Sequence, residues 1–356
     1  MPLPREKPSS LTKSFAERAS CGSHSTMPSD LATAVVPPLV SVIIPTRDRP
    51  ELVLRALKSA LDQTLAWIEV IIVVDGPDDE TVACVRGIAD PRLQLVVNPS
   101  SITAAGARNT GAALARGEWI AFLDDDDQWL PQKLEQQMAA AGADPDVMVS
   151  CLSRVVTPNG TYVWPEEVYE EDIPLADYLF NRPSLFAGAS FMQTSSYLIR
   201  RTAFQKSPFR LGTPHDDWDF LLRFVQIPGA RIKVVSEVLV EVRFEQRQLS
   251  LSSRTTWRES LAWIDEITPM LTRGAYSGLC LGVAGSKAAY ERAYAAFPLL
   301  LYKAVIKGDP RPLQILRFIS FWLLPQELRR RIRPICRNLL KGCTCSAKAE
   351  AGVRRR

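Results

Sequence analysis

The chain has 356 residues, of which 46% are hydrophobic and 23% charged, close to the average soluble globular protein and sufficient for one large or two modest domains. Its net charge of +4 is small for this length, so the composition disfavours nucleic-acid binding across the whole surface. The seven cysteines are scattered without a paired framework, which disfavours a disulfide scaffold and favours a reducing, cytoplasmic compartment.

The two ends of the chain differ from its middle. Residues 1–38 are rich in Ser, Pro and charge and have no apolar central region, so we expect a disordered segment and no signal peptide. Residues 336–356 are predicted to form a loose basic tail. No window reaches the ~18 uninterrupted apolar residues that a membrane-spanning helix needs.

Residues 39–123 alternate between short apolar runs and segments with apolar residues at helical spacing. The predicted strands are 40–45, 70–74, 93–97 and 119–123, and the predicted helices are 50–65, 78–89 and 103–116. This alternation predicts an α/β fold with a doubly wound, mostly parallel, Rossmann-like sheet and right-handed crossovers.

The pattern changes in the second half of the chain. After a helix that starts at Lys133, the predicted strands are 147–156, 195–199 and 232–242. The last predicted helices are 260–271, 286–306 and 313–324. We therefore expect an α/β domain over residues 39–255 and a helical C-terminal region over residues 256–335.

Four consecutive aspartates, residues 124–127, directly follow the predicted strand 119–123. Acidic runs are common on solvated surfaces, but this one lies at the carboxyl end of a buried strand, where open α/β sheets bind ligands. Mg²⁺ and Mn²⁺ prefer carboxylate oxygens, and Mg²⁺ usually bridges to substrate phosphates. An Asp-x-Asp spacing would let one carboxylate reach the cation while the other contacts a nucleotide ligand.

Three more polar loops follow predicted strands, at residues 45–49, 75–79 and 98–109. In a doubly wound sheet these ends converge on one edge. There Arg47 and Arg49 would supply positive charge or a planar stacking surface, and Asp75 a hydrogen-bond acceptor, which suits a base, a ribose and phosphates. No strand is followed by Gly-x-Gly-x-x-Gly or a Walker-type Gly-Lys-Ser/Thr, so a dinucleotide dehydrogenase and a P-loop nucleotidase are disfavoured.

A second acidic cluster lies in the stretch PHDDWDF, residues 214–220. One of its aspartates could simply cap a helix. Capping alone does not explain two adjacent acids beside His215, one of only two histidines in the chain. A carboxylate here could act as a general base that takes a proton from an attacking hydroxyl, and His215 could contact a metal or phosphate or have a structural role.

Taken together, these segments resemble the large inverting glycosyltransferase family two, which has the GT-A fold. The segments that carry the resemblance are VSVIIPTRDRP at 40–50, EVIIVVDGPDDET at 69–81, GARNTGAALARGEWIAFLDDDDQWLPQKL at 106–134 and HDDWDFLLR at 215–223. The match spans roughly residues 39–245. It implies a nucleotide-diphospho-sugar transferase in which residues 39–130 bind the donor and residues 131–255 bind the acceptor.

The resemblance also implies a role for each matching residue. The expected nucleotide-sugar-binding residues are Pro45, Thr46, Arg47, Arg49, Asp75, Arg108, Asp124 and Asp125. Asp126 and Asp124 would hold a Mg²⁺ or Mn²⁺ ion on the diphosphate, and Asp217 would be the catalytic base. Arg108 lies in an Ala-Arg-Asn stretch that recurs in the family, although Ala-rich helix starts also arise for packing alone.

Three departures from the family pattern refine this expectation. Arg47 stands where many members have an aromatic residue that stacks on the base, and Val74 stands where many have an acid. The Gln-x-x-Arg-Trp signature of processive members is absent from the sequence, which favours transfer of one sugar per encounter. The alternatives that stay open are a nucleotidyltransferase and a non-catalytic module that binds sugar nucleotides.

The expected partners are a nucleotide-diphospho-sugar donor and a glycan or lipid-linked acceptor, and no nucleic acid. The apolar faces of the C-terminal helices would mostly pack on one another. Residues 318–324, followed by the basic run 329–333, could instead rest on an anionic membrane surface, which would place a cytoplasmic protein at the inner face of the membrane.

Overall fold

The computed structural model describes residues 37–158, 160–181, 190–243 and 255–324. The predicted disorder before residue 37 and the predicted basic tail therefore lie outside the described residues. Within them, no helix is both long and apolar enough to cross a membrane.

The first half of the domain is a parallel α/β unit, as the alternation predicts. Its elements are β1 Val40–Thr46, α1 Pro50–Leu61, β2 Ile68–Val74, α2 Asp79–Arg86, β3 Leu93–Val97, α3 Thr103–Leu114 and β4 Trp119–Phe122. Strand β1 pairs in parallel with β2 and β4, and β2 pairs in parallel with β3. The carboxyl ends of β1, β2 and β4 therefore meet at one edge.

The second half adds strands of mixed direction to the same sheet. Its elements are β5 Asp127–Trp129, α4 Lys133–Ala141, β6 Val147–Thr157, β7 Gly160–Trp164, α5 Leu175–Phe180, β8 Leu198–Arg200, α6 Arg201–Lys206, α7 Asp216–Phe224 and β9 Arg231–Arg243. In the described part of the chain the strand order is β3-β2-β1-β4-β8-β6-β9-β5, and β7 pairs with β6. The short strands β5 and β7 were not predicted, and the predicted strand 195–199 begins only at Leu198, after a 3₁₀ turn.

The C-terminal region is helical, as predicted. Its elements are α8 Trp257–Glu266, a 3₁₀ turn Thr268–Met270, α9 Arg273–Gly278, a π-helical segment Leu279–Ala284, α10 Gly285–Tyr290, α11 Ala296–Ile306 and α12 Pro312–Leu323. The predicted continuous helix 286–306 is wrong, because the chain turns between α10 and α11. Arg292 has a φ of 56° within that turn, a conformation that no helix continues through.

The sheet separates two apolar cores, because successive residues of a strand point to opposite faces. On one face Val42 and Ile44 pack with Leu57 of α1 and Leu134 of α4. On the other face Ile43 belongs to a larger core. That core also contains the buried apolar residues Phe122, Phe220, Trp263, Leu300 and Phe318. The helices α8–α12 thus share a core with α7, so the sequence boundary at residue 255 is not a break in packing.

Helix α3 lies unusually close to β1. A Cβ atom added to Gly111 would lie 2.5 Å from Cγ2 of Ile43, a separation that real side chains do not adopt. The glycine therefore lets the backbone of α3 approach β1 closely. Arg108 lies in the same helix, so this packing also fixes the position of Arg108 relative to β1.

Candidate active site

The loops after β1 and β4 are joined by buried polar contacts. Thr46 Oγ1 donates a hydrogen bond to Asp125 Oδ2 at 2.8 Å. Arg49 Nη1 donates to Asp125 Oδ1 at 2.9 Å and to Asp126 Oδ2 at 3.2 Å. Three of the predicted nucleotide-site residues and one predicted metal ligand therefore form a single cluster at the sheet edge.

The four consecutive aspartates alternate between buried and accessible positions. Asp125 and Asp127 are buried, whereas about a third of the Asp124 and Asp126 side chains is exposed. The backbone turns within the run, where the N–H of Asp127 donates to the carbonyl of Asp124 at 3.1 Å before β5 continues, so the four side chains do not share one face. The accessible pair is therefore the Asp-x-Asp pair, and the buried pair supports it.

Asp127 is the structural member of the run. Its Oδ2 accepts hydrogen bonds from Ser195 Oγ at 2.5 Å and from Gln193 Nε2 at 3.1 Å. Ser195 Oγ in turn accepts a hydrogen bond from the backbone N–H of Asp124 at 3.0 Å. This network fixes the backbone of the acidic loop against the turn before β8, and the sequence offered no signal for it.

Electrostatic repulsion within the run is relieved only in part. Burial, together with the neighbouring charge of Asp126, raises the pKa of Asp125 to about 6 even though Arg49 opposes the shift. Burial and the charge of Asp124 also raise the pKa of Asp126. The cluster consequently has more negative charge than Arg49 alone can balance, and it favours a ligand that brings positive charge.

Arg108 connects the acidic run to α7. It is buried, and its Nη2 donates to Asp124 Oδ1 at 2.5 Å while its Nη1 donates to Asp216 Oδ2 at 3.4 Å. Burial works against its charge, but Asp124 and Asp216 outweigh this effect and raise its pKa above the usual value, so it stays charged. The guanidinium also lies 5.3 Å from the ring centre of Phe209, which helps to hold it in place.

Asp217, the predicted catalytic base, lies beside this pair. It is the second residue of α7, it is a residue of intermediate exposure, and its Oδ1 accepts a hydrogen bond from the backbone N–H of Trp218 at 2.8 Å. Burial and then repulsion by Asp216 raise its pKa to about 7, while Arg108 partly offsets the shift. A carboxylate with a pKa near neutrality is suited to accept a proton during catalysis.

Not every predicted nucleotide-site residue joins these contacts. Asp75 is buried and accepts hydrogen bonds from Ser101 Oγ at 2.7 Å, Ile102 N at 2.8 Å and Thr103 N at 3.1 Å, so its oxygens hold the start of α3. Pro45 is a buried residue of β1. The Arg47 side chain is about half exposed and pairs with Asp48 at 3.3 Å.

Asp219 of α7 and His215, the residue directly before that helix, have structural roles. Asp219 is fully buried and pairs with Arg210 at 2.6 Å and with Arg223 at 2.7 Å, an anchor that sequence reasoning missed although Asp219 and Arg223 are spaced i, i+4. His215 Nε2 lies 3.0 Å from Ser260 Oγ, and its ring stacks on Trp218. Burial, helped by Lys287, lowers the pKa of His215 to about 4, so it is a neutral packing residue.

The donor set suits a cation that is shared with a substrate. The described residues contain no group of three or more His, Cys, Asp or Glu that could hold a metal ion alone. Asp124 and Asp126 offer two accessible carboxylates, and Mg²⁺ is usually bound by one or two carboxylates together with substrate phosphates. The residues therefore fit a cation bound together with a diphosphate, but not a cation bound by protein alone.

Comparisons with known proteins agree with this geometry. Residues 41–207 match the family model described as glycosyl transferase family 2. The amylovoran biosynthesis glycosyltransferase AmsB of Erwinia amylovora is 27% identical over 245 residues, which cover 65% of this chain and 79% of that protein. The Escherichia coli UDP-Glc:alpha-D-GlcNAc-diphosphoundecaprenol beta-1,3-glucosyltransferase WfgD is 40% identical over 101 residues, 28% of this chain and 40% of that protein.

Two solved structures share the fold. TarS 1–349 of S. aureus in complex with UDP-GlcNAc has a TM-score of 0.53 and 17% identity, covering 80% of this chain and 90% of that chain. The mannosyltransferase PcManGT of Pyrobaculum calidifontis in complex with GDP-Man and Mn²⁺ has a TM-score of 0.52 and 20% identity, covering 90% of this chain and 93% of that chain.

The mixed sheet, the acidic loop at its carboxyl edge and these likenesses define a glycosyltransferase of the GT-A fold. Within that class, the family that the chain resembles is glycosyl transferase family 2, whose model matches residues 41–207, just under half of the chain. The resemblance to this family, the fold and the enzyme class predicted from the sequence are thereby confirmed.

Proposed function

We propose that the chain is a metal-dependent, inverting, non-processive glycosyltransferase that moves one sugar from a nucleotide-diphospho-sugar to an acceptor hydroxyl. The observation that supports this most directly is the position of Asp217, a residue of intermediate exposure whose carboxyl pKa is raised to about 7. It adjoins Asp216, which shares Arg108 with Asp124 of the acidic loop. A base and a diphosphate-binding loop are thus held together by one buried guanidinium.

The proposed chemistry is a single displacement. Asp217 takes the proton of the acceptor hydroxyl, whose oxygen forms a bond to the anomeric carbon as the bond to the nucleoside diphosphate breaks on the opposite face. When bound, Mg²⁺ or Mn²⁺ supplies positive charge to the departing diphosphate, and Asp126 with Asp124 would hold it. Arg108 keeps Asp124 and Asp216 in place next to the base throughout.

The names of similar proteins support the expected substrates. TarS is described with UDP-GlcNAc and PcManGT with GDP-Man and Mn²⁺, which supports a nucleotide-sugar donor and a divalent cation. WfgD is named for a diphosphoundecaprenol-linked acceptor and AmsB for amylovoran biosynthesis. For this chain they support a glycan or lipid-linked acceptor in cell-surface polysaccharide or glycolipid synthesis.

The test is a thermal-shift screen of the purified full chain. UDP-, GDP-, TDP- and CMP-sugars are each added with Mn²⁺, with Mg²⁺ or with EDTA, because a ligand that binds the native state raises the Tm by mass action. We expect a metal-dependent increase with one nucleotide. No increase with any donor would contradict the proposal and favour a non-catalytic module.

Two variants assign the roles, and a third is the control. Asp126→Ala should abolish the metal-dependent increase, whereas Asp217→Asn should keep it and lose sugar transfer. Asp309→Ala changes an exposed aspartate in the turn between α11 and α12 and should behave as the wild type. Unchanged donor binding by Asp126→Ala would refute its metal role, and normal turnover by Asp217→Asn would refute its role as base.

A further inference from the structure

The large apolar side chains that remain exposed are concentrated near the C-terminal end of the described chain. Among the described residues, 17 large hydrophobic side chains are exposed, and eight of them lie between residues 290 and 323. Scattered exposed apolar residues are normal, but nearly half of them in one short segment indicates a surface that is covered in use.

These side chains form stripes along two helices. We call the following set the C-terminal apolar surface: Leu299, Tyr302, Val305 and Ile306 of α11 with Leu316 and Leu323 of α12. Residues spaced three, four or seven apart share one face of a helix. The opposite faces of both helices are buried through Leu300 and Phe318. The exposed stripes are therefore outward faces of helices that are already packed, and they are not ends left open by an incomplete core.

An aromatic cluster packs α12 against α11 and against the turn before α11. Tyr294, which is 70% exposed, lies with its ring centre 6.0 Å from that of Trp322. Tyrosine and tryptophan rings have an apolar body and a polar tip, and they are enriched where protein meets the boundary between lipid headgroups and acyl chains.

The free positive charge near this surface comes from the chain that follows it, because Lys303 and Lys307 of α11 pair with Asp265. The sequences of α11 and α12 contain lysine and arginine but no aspartate or glutamate. The chain then continues from Leu324 into residues 325–356, which contain ten of its basic and two of its acidic residues. This segment therefore carries a charge of +8 in a chain whose net charge is +4, and the rest of the chain is net negative.

We propose that the C-terminal apolar surface docks on an anionic lipid surface, with residues 325–356 supplying the electrostatic attraction. An apolar helix face alone binds membranes weakly, and a neighbouring basic cluster adds attraction to anionic headgroups for each Lys or Arg. A second copy of the chain is disfavoured as the occupant, because two segments of charge +8 would repel each other. This docking does not depend on the proposed reaction.

The experiment measures binding of the full chain to vesicles by sedimentation. Vesicles of phosphatidylcholine alone are compared with vesicles that also contain phosphatidylglycerol, at low and high salt. At low salt we expect the affinity for the anionic vesicles to exceed that for phosphatidylcholine vesicles by about tenfold or more. At high salt this preference should be lost. Equal binding to both vesicles, or no binding to either, would overturn the proposal.

Variants separate the apolar from the electrostatic contribution. A triple variant, Leu299→Ser with Ile306→Ser and Leu323→Ser, should bind anionic vesicles at least about tenfold more weakly, because each exposed aliphatic side chain adds to the buried apolar area. Replacing the four arginines at 329, 330, 331 and 333 by glutamine should weaken binding similarly. All of these positions are exposed or lie outside the described residues, and a thermal melt checks that each variant folds.

The matched control changes exposed apolar residues elsewhere. Trp67→Ser with Leu211→Ser alters two side chains that are 55% and 57% exposed, before β2 and after α6, and should leave vesicle binding unchanged. If the triple variant bound like the wild type while the arginine variant did not, the apolar surface would not be the docking face. A concentration-dependent dimer in lipid-free sedimentation that the triple variant abolishes would identify a second copy as the occupant and overturn the proposal.

Discussion

The carboxyl group of Asp217 changes its protonation state within the pH range in which enzymes operate, since its pKa is raised to about 7. A general base works only when it is unprotonated. We therefore expect kcat/KM to rise about tenfold per pH unit below pH 7 and to level off above it. The measurement is a pH–rate profile of the wild type at saturating metal.

Neighbouring substitutions make this profile specific for Asp217. Asp217→Asn should lower kcat by about 10²- to 10⁴-fold at every pH, with donor affinity nearly unchanged. Asp216→Asn removes a charge that raises the pKa of Asp217, so its profile should keep its shape and move to lower pH. A profile of Asp216→Asn that coincides with the wild type would show that the titrating group is elsewhere.

The same raised pKa predicts how stability depends on pH. The folded state holds the Asp217 proton up to about pH 7, whereas the unfolded chain releases it near 3.8, the ordinary pKa of an aspartate. Stability should therefore fall as the pH rises from about 4 to about 7, because the native state binds more protons over that range. Asp217→Asn should unfold at a higher urea concentration than the wild type at pH 8. Its free energy of unfolding should be larger by roughly a few kcal/mol at that pH, and this difference should shrink toward pH 4. An Asn variant that is less stable at pH 8 would contradict this account.

At the scale of the element, helix α3 is held at its start by Asp75, a residue that the sequence analysis assigns to nucleotide-sugar binding. Asp75 holds the N–H groups of Ile102 and Thr103 at the beginning of the helix, and an acidic group at this end also interacts favourably with the helix dipole. We expect Asp75→Ala to cost about 1–2 kcal/mol of stability, the usual range for loss of a helix cap. Urea unfolding measures this cost, and calorimetric titration with the nucleotide that the screen identifies measures donor affinity.

The two roles of Asp75 give separable results. Loss of stability with unchanged nucleotide affinity in Asp75→Asn and Asp75→Ala would assign the residue to the fold. Loss of affinity in a variant as stable as the wild type would instead support contact with the base or ribose. Asp78→Ala is a matched control, because Asp78 caps the neighbouring helix α2 by accepting from Thr81 N at 3.0 Å.

Elements with a strong local pattern could be predicted from the sequence, and elements that depend on tertiary partners could not. The strands β1, β2 and β4 are continuous apolar runs, and their order placed the acidic loop and Thr46 at one edge. Strand β5 has only three residues and exists because Asp127–Trp129 pairs with β9, over a hundred residues later. The contacts of Arg108 with Asp216 and of Asp127 with Ser195 join residues that are 108 and 68 positions apart, so the spacing of residues could not indicate them.

At the scale of the whole molecule, the structure brings together more negative than positive charge at the site. The carboxylates are Asp124, Asp125, Asp126, Asp127, Asp216 and Asp217, and the arginines that contact them are Arg49 and Arg108. The raised pKa values of Asp125, Asp126 and Asp217 show that this arrangement holds protons more tightly than isolated carboxyl groups do. A bound cation and these protons should therefore compete for the same oxygens.

This competition predicts that binding of Mn²⁺ with a nucleoside diphosphate weakens as the pH falls from 8 to 6. Asp125 and Asp217 have pKa values of about 6 and about 7, and the pKa of Asp126 is also raised, so the cluster becomes partly protonated over this interval. At a ligand concentration about 100 times Kd, binding should add about 2.7 kcal/mol to stability at pH 8. The same ligand concentration should add clearly less at pH 6, and nothing at either pH in Asp126→Ala. The measurement is the increase in Tm with Mn²⁺ and the diphosphate at both pH values. An increase that is independent of pH, or that persists in Asp126→Ala, would mean that the cation binds elsewhere than at the accessible aspartates of the acidic loop.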